Sequence, residues 1–375
     1  MSLAKKEFKV TPWEVEGIVD YEKLAKEFGL KAINKELKGR LEKLTKKSHY
    51  MLEREIFFVH RDLDLILDFI ENGKEFFLYT GRGPSGHTHL GHLLPWIFTK
   101  WLQDKFNVEL YFQLTDDEKY LFNDKLSLEE TKKFAYENAL DFIALGFKPK
   151  NTHIIIDTEY SKTLYNNAIK VAKRITFSTT KAVFGFTNSN NIGEIFFTSI
   201  QSVPAFLHCI LKNKKIPCLI PHAVDQDPHF RICRDVMPKL GFYKPASIQC
   251  KFLPGLGKEG KMSASNKKTA IFTTDSAEVV NKKITNAFTG GRETLAEQKK
   301  LGGIPEKCTI FAYFYFFAER DNKKLEEIKM KCKNGSLLCG ECKKMLAQKI
   351  NSFLKRHQAE REKAKKIVDK FLLKD

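Results

Sequence analysis

Apolar positions along the chain change period several times, and each change marks an element. From 76 to 79 they run unbroken (Phe76, Phe77, Leu78, Tyr79), which predicts a short buried strand. Gly81, Gly83, Pro84 and Gly86 follow and predict a turn where backbone can approach a ligand closely. From Leu90 the apolar residues fall at helical spacing, through Leu93, Leu94, Ile97 and Phe98 to Trp101. Strand, glycine turn and helix thus fill residues 76–101.

The same reading extends along the chain. Residues 8–18 alternate enough for a hairpin. Residues 20–28 and 34–44 read as short amphipathic helices, with Leu24, Phe28, Leu37, Leu41 and Leu44 on their apolar faces. Residues 61–70 form another, turning Leu63, Ile66, Leu67 and Ile70 inward. VELYFQL at 108–114 is a second core strand, ending at Thr115-Asp116-Asp117-Glu118. Ser127-Leu128-Glu129-Glu130 is a capping box for a helix that runs to Leu145 and stops at Gly146. Residues 153–156 are a third strand, 171–175 are helical, and 181–186 and 195–200 are mixed apolar stretches. PCLIPHAV at 217–224 is a buried strand ending at Asp225-Gln226-Asp227, with a helix expected over 231–240. Residues 247–253 lead to a glycine-rich loop. Beyond about 275 the period is helical, with a buried aromatic helix at 310–318 and a long amphipathic run at 337–373.

Strand, polar cluster and helix recur, as in a doubly wound sheet. The expected fold is α/β: a Rossmann-like parallel sheet over 76–270, an N-terminal extension over 1–75 and an α-helical domain over 271–375.

Composition narrows the function. The chain carries 64 Lys+Arg against 46 Asp+Glu, a formal charge of +18, which favours a polyanionic partner. Its 42% apolar content, with 31 phenylalanines, excludes a disordered chain. No apolar run approaches the roughly 20 residues of a spanning helix, and MSLAKKEFKV lacks the apolar centre of a signal peptide. Eight cysteines without a secretory signal are expected to be reduced thiols of a cytosolic protein. Cys332, Cys339 and Cys342 have a C-x6-C-x2-C spacing that hints at zinc, but no fourth ligand is evident nearby and no metal is expected.

The chemistry centres on the start of the 90–101 helix. Unpaired N–H groups and partial positive charge at a helix N-terminus suit a phosphate, and His87, His89 and His92 stand there. His89-Leu90-Gly91-His92 matches the HIGH-type signature of class I aminoacyl-tRNA synthetases and related nucleotidyltransferases. Gly86-His87-Thr88-His89 also matches the H-x-H pair that ends a barrel strand in metal-dependent amidohydrolases. A plain glycine turn with surface histidines is the third reading. Lys261-Met262-Ser263-Ala264-Ser265 decides among them. It matches the second class I signature, KMSKS, with Ala264 in place of the usual second lysine, and Gly255, Gly257 and Gly260 fit a mobile loop. The amidohydrolase reading predicts nothing there.

Four blocks therefore carry a family resemblance: YTGRGP at 79–84 running into His89–His92, TDDEKYL at 115–121, DQDPHFR at 225–231 and KMSAS at 261–265. From about Thr11 to the C-terminus the chain resembles tryptophanyl-tRNA synthetases of the eukaryotic type. Tyrosyl-tRNA synthetases share that fold, but there a KMSSS-like loop and a carboxylate for the phenol are expected. Gln113 with TDDEK, and Asp225-Gln226-Asp227-Pro228, fit the tryptophan family better. A catalytically dead RNA-binding paralogue would lose motif residues that are intact here.

The resemblance implies a tryptophan–tRNA ligase. Tryptophan and ATP give tryptophanyl-adenylate and pyrophosphate, and the aminoacyl group then moves to the 3′ end of tRNA(Trp). The attacking carboxylate is already ionised at neutral pH, so the site must supply alignment and positive charge rather than a base. By resemblance, the catalytic residues are His89, Gly91, His92, Lys261, Ser263 and Ser265. ATP is expected on Thr80, Gly81, Arg82 and Gly83 together with His89, His92, Lys261 and Met262. Tyr79 and Gln113 take the indole nitrogen, Glu118, Gln201 and Gln226 hold the α-amino group, and Phe230 lines the slot. Mg²⁺ is expected on the ATP phosphates, and Lys119 is the substitute for the lysine missing at Ala264. The N-terminal segment is expected to cap the ATP site. The C-terminal helices, with 16 Lys+Arg against 8 Asp+Glu over 321–375, are expected to hold the anticodon end of the tRNA. The resemblance further implies a cytoplasmic homodimer with no membrane association.

Overall fold

The computed structural model describes residues 9–10, 15–16, 19–258, 260–263 and 266–375. A seven-stranded sheet has the order Lys31–Ala32, Phe57–Arg61, Ala246–Cys250, Cys218–Ala223, Phe77–Arg82, Leu110–Leu114, Thr152–Ile156. The last five strands are parallel to one another, and the first two add antiparallel at one edge.

Side-chain alternation explains why these strands are apolar at nearly every position. Leu78, Phe112, Ile154 and Leu219 enter one core, whereas their neighbours Phe77, Tyr111, Ile155 and Ile220 enter another. Phe77–Arg82 sits in the middle. The chain moves outward through Leu110–Leu114 and Thr152–Ile156, then crosses back to add Cys218–Ala223 and Ala246–Cys250 on the other side. The order reverses between Phe77–Arg82 and Cys218–Ala223. In open α/β sheets, ligands bind beyond the C-terminal strand ends at such a reversal. The sheet has two edges and is not a barrel, which removes the amidohydrolase reading.

The helix Leu90–Phe106 follows the first parallel strand, as its apolar spacing predicts. Leu128–Ile143 begins at the expected capping box, with Ser127 N bonded to Glu130 Oε2 at 2.8 Å and Glu130 N to Ser127 Oγ at 3.2 Å. The 181–186 and 195–200 stretches belong to the helices Phe177–Phe184 and Ile192–Ile200, and the helix before them, Ser161–Ala172, ends short of 175. Asp227–Val236 starts earlier than the expected 231–240 helix and gives way to a 3-10 turn at Met237–Leu240.

The N-terminal extension is built differently from its pattern. The helices Tyr21–Phe28 and Lys35–Thr45 are capped by Asp20 and Asn34. Lys9–Val10 pairs antiparallel with Val15–Glu16, in keeping with the hairpin expected over 8–18, although Phe8, residues 11–14 and 17–18 lie outside the described residues. Phe57–Arg61, however, is a strand paired with Ala246–Cys250, and the helix begins only at Leu63. Hydrogen bonding within the sheet is therefore continuous across position 75.

The C-terminal segment is helical but shares the main core. Tyr313, Phe314, Leu346 and Ile350 pack in the same cluster as Leu90 and Phe112. The helix Thr309–Tyr313 widens into a π-helical turn at Phe314–Ala318, and the long helix Cys339–Ala364 crosses Leu128–Ile143. There, His357 Nε2 lies 2.9 Å from Asp141 Oδ1, and both side chains are buried. The chain end reaches the sheet edge, where Ile154 N donates to Phe371 O at 2.7 Å and Leu373 N to Ile154 O at 2.9 Å. Among the described residues, no single helix is long and apolar enough to cross a membrane.

Candidate active site

A cleft of about 510 Å³ opens over the C-terminal ends of the central strands. It is lined by Thr80, Gly81, Arg82, Gly83, His89, Gly91, His92, Glu118, Gln201, Gln226, Phe230, Lys261, Met262 and Ser263, all singled out in the sequence. A larger cavity, about 660 Å³, lies between the helix Leu90–Phe106 and the C-terminal helix and reaches none of those strand ends.

Two glycines are fixed by close approach. Gly81 pairs with Gln113 across the parallel ladder, and a Cβ there would stand 2.6 Å from Gln113 O. At Gly91 a Cβ would meet the His89 ring at 3.1 Å and Met262 Cβ at 3.7 Å, so the two signature motifs touch at this residue.

His89 N donates to His92 Nδ1 at 3.1 Å, and the two rings stack with centroids 3.5 Å apart. This bond places the His92 proton on Nε2. Burial, reinforced by the Arg82 guanidinium, holds both imidazoles well below the ordinary histidine pKa. Both are therefore neutral N–H donors at neutral pH. His87 is exposed and packs edge-on against Phe134, away from the cleft. Arg82, expected on the nucleotide, is engaged with the turn: it donates to Thr88 Oγ1 at 2.8 Å, His87 O at 3.0 Å and Gly86 O at 3.2 Å.

Lys261 donates to Asp225 Oδ2 at 2.9 Å, and Met262 N donates to Leu253 O at 3.0 Å. Tyr21, from the N-terminal segment, accepts from Phe252 N at 2.9 Å beside this loop. Ala264 and Ser265 lie outside the described residues.

Tyr79 and Gln113 are fully buried and sit behind the cleft wall. The Tyr79 hydroxyl donates to Gln113 Oε1 at 2.5 Å and accepts from Gln201 Nε2 at 2.8 Å. Phe230 stands edge-on to Tyr79, with centroids 5.8 Å apart. Glu118 accepts from Thr115 Oγ1 at 2.6 Å and from Lys119 Nζ at 2.7 Å. Burial acts to raise the Glu118 pKa, but Lys119 and Thr115 together hold it below the usual carboxylate range. Lys119 lines the cleft, but its charge is shared with Glu118.

Three participants had no role assigned from the sequence, Asp157 unnoticed and Asp225 and Asp227 quoted only as motif residues. Asp157 receives Gln113 Nε2 at 2.8 and 3.0 Å. Asp225 holds Lys261. Asp227, fully buried, is gripped by Arg61 Nε at 2.8 Å and by its second nitrogen at 2.7 Å, and also accepts from Gln249 at 2.8 Å. Position at a strand end was the only available signal for Asp157, and nothing in the pattern linked Arg61 to Asp227.

Cys308 also joins the C-terminal thiols. Cβ atoms added at Gly290, Gly291 and Gly303 would meet Cys308 Cβ at 3.3 Å, Cys339 Sγ at 2.8 Å and Cys332 Sγ at 2.8 Å. Burial first, then neighbouring thiols, push Cys342 up to about 12. Among the described residues, no group of three His, Cys, Asp or Glu side chains could hold a metal ion.

The family model for class I tRNA synthetases (W and Y) matches residues 71–355. The chain is 52% identical over 367 residues to a tryptophan–tRNA ligase of Pyrobaculum calidifontis, covering 98% of each. It superposes on the tryptophanyl-tRNA synthetase of Plasmodium falciparum with a TM-score of 0.88 at 41% identity, covering 94% of this chain and 97% of that one. A tryptophanyl-tRNA synthetase of Encephalitozoon cuniculi solved with tryptophan bound gives 0.87 at 37% identity, covering 94% or more of each chain: 95% of this one and 98% of that one. The chain belongs to the class I tRNA synthetases of the tryptophan and tyrosine group, among the tryptophan–tRNA ligases.

Proposed function

We propose that the cleft joins tryptophan to ATP and then passes the aminoacyl group to tRNA(Trp). The observation that carries this reading is the buried Tyr79–Gln113–Gln201 array at the reversal point of the sheet. It presents acceptor oxygens beneath an aromatic-walled cleft, opposite the two signature motifs. A flat apolar slot with a buried acceptor suits an indole N–H, and an acceptor left unpaired by a phenyl ring makes rejection strong.

In this reading, Tyr79 and Gln113 receive the indole nitrogen and Phe230 forms the wall. Glu118, ionised, pairs with the α-ammonium beside Gln201 and Gln226. His92 Nε2–H and His89 donate to phosphate oxygens, while Thr80, Gly81 and Gly83 let the nucleotide lie against backbone. Gly91 and Met262 bring the loop against the helix. Lys261 leaves Asp225 to follow the departing pyrophosphate, with Ser263 and Ser265 beside it. Arg82 acts by bracing the glycine turn. Mg²⁺ arrives on the nucleotide, which commonly supplies most of its non-water ligands, and neutralises phosphate charge. Positive charge from the chain itself comes from Lys261.

The eukaryotic-type assignment rests on the likeness to the Plasmodium enzyme at 41% identity, while the archaeal relative is more similar at 52%. Residues 1–75 act as an extension whose Tyr21 supports the 252–261 loop, 76–270 as the catalytic unit and 271–375 as the anticodon-binding unit. The homodimer is supported by apolar side chains exposed on the connecting helices, Tyr165, Ile169, Phe177 and Ile192. Eight cysteines, none of them in a disulfide, support a cytoplasmic location. The test is aminoacylation of bulk tRNA with labelled amino acids. Charging with tryptophan alone supports the reading; charging with tyrosine would replace it with that of the sister family.

A further inference from the structure

We infer that Asp157 is a specificity-determining positioning residue, which fixes the orientation of the Gln113 amide so that its oxygen, not its nitrogen, faces the indole. The inference rests on the tryptophan reading of the cleft.

A glutamine amide presents an acceptor on one side and two donors on the other, and nothing intrinsic chooses between the two flips. Here the choice is made from behind. Asp157 lies at the end of the strand Thr152–Ile156, next to the Gln113 strand, and is 3% exposed. Its two oxygens stand 3.0 and 2.8 Å from Gln113 Nε2. Burial and the neighbouring Asp117 and Asp116 carboxylates raise the Asp157 pKa well above the usual carboxylate range, and Asp157 hydrogen-bonds Asp117. A proton held toward Asp117 leaves an Asp157 oxygen as an acceptor, which draws the NH₂ group toward it. Gln113 Oε1 is thereby turned to Tyr79, 2.5 Å away, and keeps a second lone pair for the ligand. The reverse flip would aim an N–H at the Tyr79 and indole side and leave an N–H donor of tryptophan facing another donor.

Asp157 is itself held in place. Its backbone N donates to Leu114 O at 3.2 Å, and the next residue, Thr158, donates to Asp116 through N at 3.1 Å and Oγ1 at 2.5 Å. It does not line the cleft, so its route to the indole runs through Gln113; it also hydrogen-bonds Asp117, whose Oδ1 accepts from Glu118 N at 2.7 Å.

The test compares tryptophan with its benzothiophene analogue, in which sulfur replaces the indole N–H, in ATP–pyrophosphate exchange. Wild type is expected to prefer tryptophan. Asp157→Ala and Asp157→Ser, which take the acceptor away from Gln113 Nε2, should each raise the tryptophan KM by about tenfold or more, whereas Asp157→Asn, whose side-chain oxygen can still accept from Gln113, should stay close to wild type. For Asp157→Ala and Asp157→Ser the analogue KM and the ATP KM should stay within about twofold, so that the preference between the two substrates collapses. Equal losses on both substrates, or an unchanged preference, in those two variants would overturn the inference. A wild-type protein that shows no exchange with tryptophan would refute the activity itself, a result distinct from either.

Discussion

Lys261 Nζ stands 2.9 Å from Asp225 Oδ2, which fastens the loop after the last strand to the turn that follows Cys218–Ala223. The ammonium also lies 5.1 Å from the Phe252 ring centroid, and the Lys261 side chain is 23% exposed. It is held within the cleft yet can exchange one anion for another. In the proposed reaction that second anion is the pyrophosphate.

Lys261→Ala should therefore lower the rate of adenylate formation by roughly a hundredfold or more, the scale of losing one preorganised charge-stabilising donor. Tryptophan affinity should hardly change, since the indole contacts lie elsewhere. Steady-state exchange kinetics would show a fallen kcat with the tryptophan KM within about twofold. Unaltered turnover would remove Lys261 from the mechanism.

Gln113→Ala should relax selection against phenylalanine and tyrosine. It removes the acceptor that only tryptophan satisfies, at a cost of about 1–3 kcal/mol to the correct substrate. The measurement is kcat/KM for each amino acid in turn. If the ratios hold, the indole nitrogen is read by another group.

Arg61→Ala should destabilise the fold by about 3 kcal/mol, because it strands the fully buried Asp227 carboxylate with Gln249 as its remaining close donor. Arg61 also donates to Phe28 O and to Gly29 O at 3.3 Å, so the N-terminal helix should loosen as well. Urea unfolding gives the loss, and a midpoint equal to that of wild type would contradict it.

Burial lowers the His49 pKa to about 3 and the His229 pKa to about 4. An unfolded histidine titrates near pH 6.5, so below that pH the unfolded chain binds protons that the native state refuses. Stability should be fully present above about pH 6.5 and fall as the pH drops toward 4. His229→Gln, provided it folds, should flatten that slope in melting curves taken across the range. Because His89 and His92 are also held well below the ordinary value, exchange should show no histidine inflection between about pH 6 and 8.

The sequence was most legible where local pattern and chemistry coincide. The run 76–101 has a strand's unbroken apolar stretch, a glycine turn and a helix's spacing, and the structure builds all three in that order. The residues chosen from the four motifs line or back a single cleft, save Ser265, which lies outside the described residues. Partners made only by folding were invisible. Phe57–Arg61 became a strand because Ala246–Cys250, almost two hundred positions away, offers it an open edge, and no local period records that. Asp157 looks like any acid after an apolar run until Gln113 is seen beside it. Arg82 was expected on the nucleotide, but it donates inward to the carbonyls of its own turn. Cys308 is too far along the chain from Cys332 to read as part of the same group.

The central claim is that this cleft activates tryptophan and no other amino acid. The most direct measurement is exchange of labelled pyrophosphate into ATP by the purified chain, with each of the twenty amino acids supplied singly and no tRNA present. The account predicts exchange with tryptophan alone. Exchange with tyrosine alone would keep the fold and the signature motifs but contradict the roles of Tyr79, Gln113 and Asp157. No exchange with any amino acid would contradict the proposed reaction.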